Sequence, residues 1–224
     1  MSVDFELARL LKHPAIWRGR SAARTEVIPT GFGALDDCLP GGGWPRTGLM
    51  EILVSRFGIG ELYLLLPALA ALTRRPAARW CVWVMAAADG SGKGTGSARD
   101  LCLPEPFAPA LVAHEMMLER VLAVRASTMS MWAFEQSLGS GACDVALAWA
   151  RRPCARQIRR LQLAAERGRA LGILFRSRSA ARESSPAILR VALEPLANGV
   201  RATLLKSRGG MRGSVEIAWQ TVAG

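Results

Sequence analysis

The chain has 224 residues, half of them hydrophobic, enough for one α/β domain with a substantial core and a short appendage, and its composition excludes global disorder. Its 29 Lys and Arg against 18 Asp and Glu leave a net charge of +11, which points to a polyanionic partner, either nucleic acid or an acidic protein. The five cysteines form no CxxC pair and only two histidines are present, so a zinc site has no support and reduced, mostly buried thiols are expected. No run approaches the roughly 18 apolar residues of a membrane span, and the acidic start MSVDFELARL is unlike a signal peptide, so a cytoplasmic protein without membrane contact is expected.

In chain order, Phe5, Leu7, Leu10, Leu11 and Ile16 recur at roughly helical spacing until Pro14 and Gly19 interrupt. This predicts an N-terminal helix and linker over residues 1–24, ahead of a single domain over 25–224. Its stripe, with Phe5, Leu10 and Trp17, is a candidate docking surface for its own domain or a partner. From Val27, short apolar pieces alternate with Gly/Pro turns and end in the strand-like LMEILV. An apolar helix, ELYLLLPALAALTRR, follows a glycine-containing loop, with Pro67 kinking it or near its start. CVWVMAAA and CDVALAWA are continuous apolar runs, as expected of strands buried on both faces of a parallel sheet. Between them, RVLAVRA is a strand candidate and TMSMWAFEQSLGSG a helix. RQIRRLQLAAERGR is a basic amphipathic helix, ALGILFR a strand, and the tail alternates as antiparallel strands with turns at Asn198-Gly199 and Arg208–Gly213. The alternation of strand and helix predicts an α/β fold with a mostly parallel core sheet flanked by helices and an antiparallel C-terminal extension.

The loop LVSRFGIGEL after the first core strand has the layout of a phosphate-binding GxxxxGK[ST] with three key places replaced. Counting from Gly60, the first glycine is Ser55, the phosphate-binding lysine is Glu61 and the magnesium-binding hydroxyl is Leu62. A carboxylate at the lysine place repels phosphate. A second loop, AADGSGKGT, resembles a nucleotide-kinase loop and offers Lys93 and Thr95, but Ala87 stands at its first glycine. Prolines at 104, 106 and 109 argue against the helix such a loop must open. The arginines Arg151, Arg152, Arg156, Arg159, Arg160, Arg167 and Arg169 begin at the carboxyl end of a core strand, the edge at which open α/β sheets bind ligands. They are candidates for phosphate-backbone or partner contact, with Arg176, Arg178 and Arg182 beside them; a solvated helix face is the alternative. Trp80, Trp83, Trp132 and Trp149 fall in apolar elements and are expected in the core, whereas Trp17 and Trp44, near turns, are candidates for partner contact.

The segment IPTGFGALDDCLPGGGWPRTGLMEIL resembles the stretch that leads into the RecA recombinase core. HPAIWRG, TGFGALDDCLPGGGWPR, GIGELYLLLPALA, EQSLGSGACDVALAW and RRLQLAAERGRALGILFR together are similar to the RecA-like ImuA family, accessories encoded in bacterial mutagenesis operons. This resemblance implies a RecA-like core and a role in SOS-induced translesion DNA synthesis. It also implies as partners an inactive Y-family polymerase homologue and an error-prone replicative-type DNA polymerase, with RecA and single-stranded DNA as further candidates. Carried over residue by residue, RecA's catalytic glutamate place holds Ala87 and its magnesium-organising aspartate place holds Trp149. Together with Ser55, Glu61 and Leu62 these losses imply no ATP chemistry, no cofactor and no enzyme. The cell-division inhibitor SulA belongs to the same degenerate group, so a division inhibitor that binds the tubulin-like division protein is an alternative. A nucleotide kinase working through the GSGKGT loop is another.

Overall fold

Eight strands form one sheet in the structure, a computed structural model that describes residues 26–85, 106–126, 128–150, 153–207 and 212–219. The chain enters through a two-stranded ribbon, β1 (Val27–Ile28) paired with β2 (Trp44–Pro45), around the short helix α1 (Gly33–Cys38). Then come β3 (Gly48–Val54), α2 (Leu66–Thr73), β4 (Trp80–Met85), α3 (Ala108–Ala113), β5 (Val121–Arg125), α4 (Ser130–Gly139), β6 (Cys143–Trp149), α5 (Ala155–Gly168) and β7 (Leu171–Ser177). The chain closes with β8 (Leu189–Leu196), β9 (Gly199–Lys206) and β10 (Gly213–Ala218).

The sheet order is β10-β9-β8-β3-β7-β6-β4-β5, parallel from β8 to β5 and antiparallel through β9 and β10. The protein is therefore a mixed α/β fold with a mostly parallel sheet. β3, which is apolar except for one residue, is buried along its whole length between β7 and β8. On one face, Met50, Ile52 and Val54 of β3 join Trp83, Leu147 and Phe175 beneath α1 and α2. On the other, Leu49, Val82, Ala146 and Leu174 pack beneath α4 and α5 through Phe134, Leu138, Ile158 and Leu161. Burying both faces of the parallel strands explains their continuous apolar runs.

Three expectations need correction. Pro109 does not prevent a helix: it sits in the first turn of α3, where a missing N–H costs nothing. The apolar helix starts later than expected, since residues 61–65 form turns and α2 begins at Leu66, which leaves Pro67 near its start, one of the two places expected for it. The tryptophans divide differently from their sequence contexts, since Trp44 is fully buried while Trp80 and Trp132 are exposed. The β8–β9 hairpin turns through Ala197 and Asn198, and Gly199 opens β9, with no room for a Cβ against the Ile217 carbonyl. Among the described residues no helix is long and apolar enough to cross a membrane.

Candidate functional site

β3 delivers the loop LVSRFGIGEL to the carboxyl edge of the sheet, the edge at which α/β folds hold ligands. Gly58 and Gly60 take φ of 83° and 98°, a left-handed backbone that favours glycine and turns the chain sharply toward α2. Glu61, at the lysine place, is only 1 % exposed. Its Oε1 accepts from the Gly58 amide at 2.8 Å and its Oε2 from the Ile59 amide at 2.9 Å. Amides of this loop are the groups that cradle phosphate in a working site. Here a carboxylate of the chain itself takes two of them, so Glu61 does more than repel an incoming phosphate.

The rest of the loop is open at Ser55 and packed from Gly60 on. Ser55 is exposed and contributes no turn glycine, and Leu62 packs against the core where a metal-binding hydroxyl would be needed. Trp219, just beyond β10, lies so close to Gly60 that a Cβ there would meet its ring at 2.3 Å. Tyr63 holds Trp219 edge-on, with ring centroids 4.9 Å apart, and also touches Phe32 and His114. At the end of β6, Trp149 stacks on Phe175 at 4.8 Å with 11° between the planes and contacts Trp83 at 5.9 Å. An apolar, buried aromatic cluster thus surrounds Trp149 at the end of β6. Ala87, Lys93 and Thr95 lie outside the described residues, as do Phe5, Leu10, Trp17, Arg151 and Arg152.

The remaining arginines separate into distinct environments. Arg176 is 1 % exposed, which corrects its assignment to a binding surface. Its guanidinium donates to Glu51 Oε1 at 3.0 Å and Glu183 Oε2 at 2.6 Å, while Arg190 donates to Glu51 Oε2 at 2.6 Å and Ser185 to Oε1 at 3.0 Å. Arg190 also reaches the carbonyls of Ala180 and Glu183. This is a structural network of two buried guanidiniums on the buried Glu51 carboxylate, with the exposed Glu183 carboxylate at its edge, beneath the 3₁₀ turn Arg178–Arg182. Its one sequence signal was Glu51, an acid in the middle of the apolar run LMEILV. Arg178 pairs with Glu194 at 2.8 Å, and Arg160 with Glu135 at 2.8 Å across α4 and α5. Arg156 and Arg159 are exposed on α5, whose N-terminus lies at the carboxyl edge, and form no ion pair among the described residues.

At the opposite edge, Asp144 opens β6 and accepts from the Arg79 amide at 2.8 Å, from Arg79 Nε at 3.1 Å and from Arg46. Burial pushes its carboxyl up, but the Arg79 amide and the Arg46 guanidinium outweigh it and hold the carboxyl below its ordinary value. Arg79 also donates to the carbonyls of Gly168 and Arg169 at the end of α5, which suits the negative end of the helix dipole. This cluster ties α5 to the sheet and faces away from the loop. Among the described residues no group of acids, histidines and cysteines could hold a metal ion.

No protein-family model matches the chain, and no curated protein matches it. Among solved structures, it is similar to SulA from Pseudomonas aeruginosa with a TM-score of 0.42 and 20 % sequence identity, over 57 % of this chain and 97 % of that one.

Proposed function

We propose that the chain is a catalytically inactive RecA-like domain of the ImuA type that acts by binding, as an accessory adaptor in SOS-induced translesion DNA synthesis. In this reading it contacts a Y-family polymerase homologue and an error-prone replicative-type polymerase, with RecA and single-stranded DNA as further partners. The observation that carries the loss of ATP chemistry is Glu61. Its carboxylate is hydrogen-bonded to the Gly58 and Ile59 amides, so the donors a nucleotide phosphate needs are already satisfied. Placing a phosphate there would bring two like charges together in a buried site. The filled aromatic cluster around Trp149 supports the same conclusion for magnesium. The RecA-like reading draws support from the central strand β3 leading through this loop into α2, from its parallel neighbours, and from the antiparallel extension β9–β10.

Calorimetric titration of the full chain with ATP and magnesium tests the inactive site. No binding is expected up to about 1 mM, the upper end of ordinary substrate affinities. ATP binding or hydrolysis lost on Lys93→Ala would overturn the proposal in favour of the kinase-type loop. In cells, deletion is expected to lower damage-induced mutation. Filamentation on expression, with induced mutation unchanged by deletion, would instead support the division-inhibitor alternative.

A further inference from the structure

Two helices of the outer layer lie side by side, and among the described residues they expose large apolar side chains and arginines without ion pairs. α4 and α5 both run away from the carboxyl edge of the sheet, and the Glu135–Arg160 ion pair joins them. One turn further on in α4 and two turns further on in α5, a Cβ on Gly139 would meet the Arg167 guanidinium at 2.3 Å, so the two helices stay side by side along their length. One helical turn before the ion pair stand Trp132 on α4 and Arg156 on α5. Trp132 is 53 % exposed and Met129 equally so, and Leu163, on the outer face of α5, is 54 % exposed. Arg156 and Arg159 are exposed on α5, seven and four residues before Leu163 and so on the same side of the helix. The nearby acids are committed, Glu135 to Arg160 and Glu166 to Gln162. Arg156 also stands in the first turn of α5, where the helix dipole disfavours cations, and no acid in that turn offsets it.

We propose that the α4–α5 face, centred on Trp132, Leu163, Arg156 and Arg159, docks an acidic amphipathic helix of a protein partner. The inference rests on the adaptor reading and names the chemistry of the partner. The apolar residues decide between the two kinds of polyanion. Trp132 could stack on a base, but Met129 and Leu163 offer a nucleic acid little, whereas leucines at i, i+3, i+4 and i+7 of a docked helix bury all three. The two arginines then meet carboxylates flanking that apolar stripe, and a central tryptophan and arginine are the residue types that dominate protein interfaces.

The probe is a fluorescein-labelled helical peptide of Glu and Leu with leucines at those spacings, titrated by anisotropy against the full chain. Trp132→Ala and Arg159→Glu are each expected to weaken binding about tenfold or more, with Trp132→Phe recovering most of the affinity. Arg120→Glu, an equal charge change on a distant 3₁₀ turn, is expected to leave binding unchanged. All these side chains are exposed, and unaltered thermal unfolding identifies folded variants. Absence of peptide binding, or binding that Arg120→Glu weakens as much as Arg159→Glu, overturns the proposal, as does an oligothymidylate that depends on Trp132 and Arg159 while the peptide does not. None of these outcomes depends on whether ATP binds, so the docking face and the inactive nucleotide site are tested separately.

Discussion

Removing the Glu61 carboxylate tests the central claim most directly. In Glu61→Ala the Gly58 and Ile59 amides lose their acceptor. Gly58 is exposed and its amide can turn to water, whereas Ile59 is buried and its amide is left without a partner. A lost bond to a charged acceptor with rehydration costs about 1 kcal/mol, and an orphaned buried donor about 2 kcal/mol, so a loss near 3 kcal/mol is expected. With a slope of roughly 3 kcal/mol/M this lowers the urea midpoint by about 1 M. Glu61→Gln keeps one acceptor oxygen and is expected to fall between wild type and Glu61→Ala. Glu61→Lys, whose ammonium only donates, should be no more stable than Glu61→Ala. Inorganic phosphate is expected to raise the midpoint of Glu61→Ala, because it can re-occupy the vacated amides, and to leave wild type unmoved at equal ionic strength. The exposed Glu119→Ala serves as the control, with a change within about 0.5 kcal/mol. A Glu61→Ala protein as stable as that control, and indifferent to phosphate, would mean that the carboxylate does not hold these amides.

Four further outcomes follow from the same contacts. Gly60→Ala places a Cβ against the Trp219 ring and forces a φ of 98° on a non-glycine residue, so a loss of about 3 kcal/mol is expected; in a Trp219→Ala background only the backbone part, about 1–2 kcal/mol, should remain. Glu51→Ala leaves Arg176 and Arg190 buried without their shared carboxylate and should cost about 3–5 kcal/mol in urea unfolding, against under 1 kcal/mol for the half-exposed partner in Glu194→Ala. Because the Asp144 carboxyl is held below its ordinary value of 3.8, the stability that wild type gains over Asp144→Asn should be full above that pH and shrink as the pH falls through the lower folded value. Burial, the largest effect on both thiols, pushes Cys81 up to about 12 and Cys143 up to about 11, so thiol titration at neutral pH should label the exposed Cys154 and reach those two only on unfolding.

The sheet was legible because parallel strands buried on both faces leave continuous apolar runs, as β4 and β6 do, while β3 and β7 read as strands despite the charged Glu51 and Arg176 within them. The amphipathic stripe of α5 and the C-terminal hairpin were legible for comparable local reasons. The loop could be found by counting from Gly60, but the fate of Glu61 could not. A carboxylate folding back onto amides two and three residues earlier depends on the left-handed glycines between them and on the wall supplied by Trp219, which is distant in sequence. The arginines show the same limit. Composition reveals an excess of positive charge, yet whether a particular guanidinium faces solvent depends on the acid that tertiary structure brings to it. Arg176 meets Glu51 across 125 positions, while Arg156 meets no acid among the described residues. Trp132 and Trp149 sit in equally apolar stretches, and only helix packing sends one outward and the other into a stack.

The intramolecular carboxylate has a consequence for regulation under the proposed reading. A nucleotide shifts a protein between conformations only by as much as it binds one of them better than the other. A loop whose amides are already held by a covalently tethered anion faces an effective local concentration that free phosphate cannot match, so its conformation becomes independent of nucleotide levels. An adaptor built this way keeps one binding surface at all times, and its activity must be set by its abundance and by its partners. Restoring nucleotide control would require more than exchanging Glu61 for lysine. Leu62 would still pack where a hydroxyl must hold magnesium, Ser55 would still lack the turn glycine, and the Trp83–Trp149–Phe175 cluster would still fill the place of the acid. Phosphate rescue of Glu61→Ala without accompanying ATP hydrolysis is the combination that separates a vacated anion cradle from a revived active site.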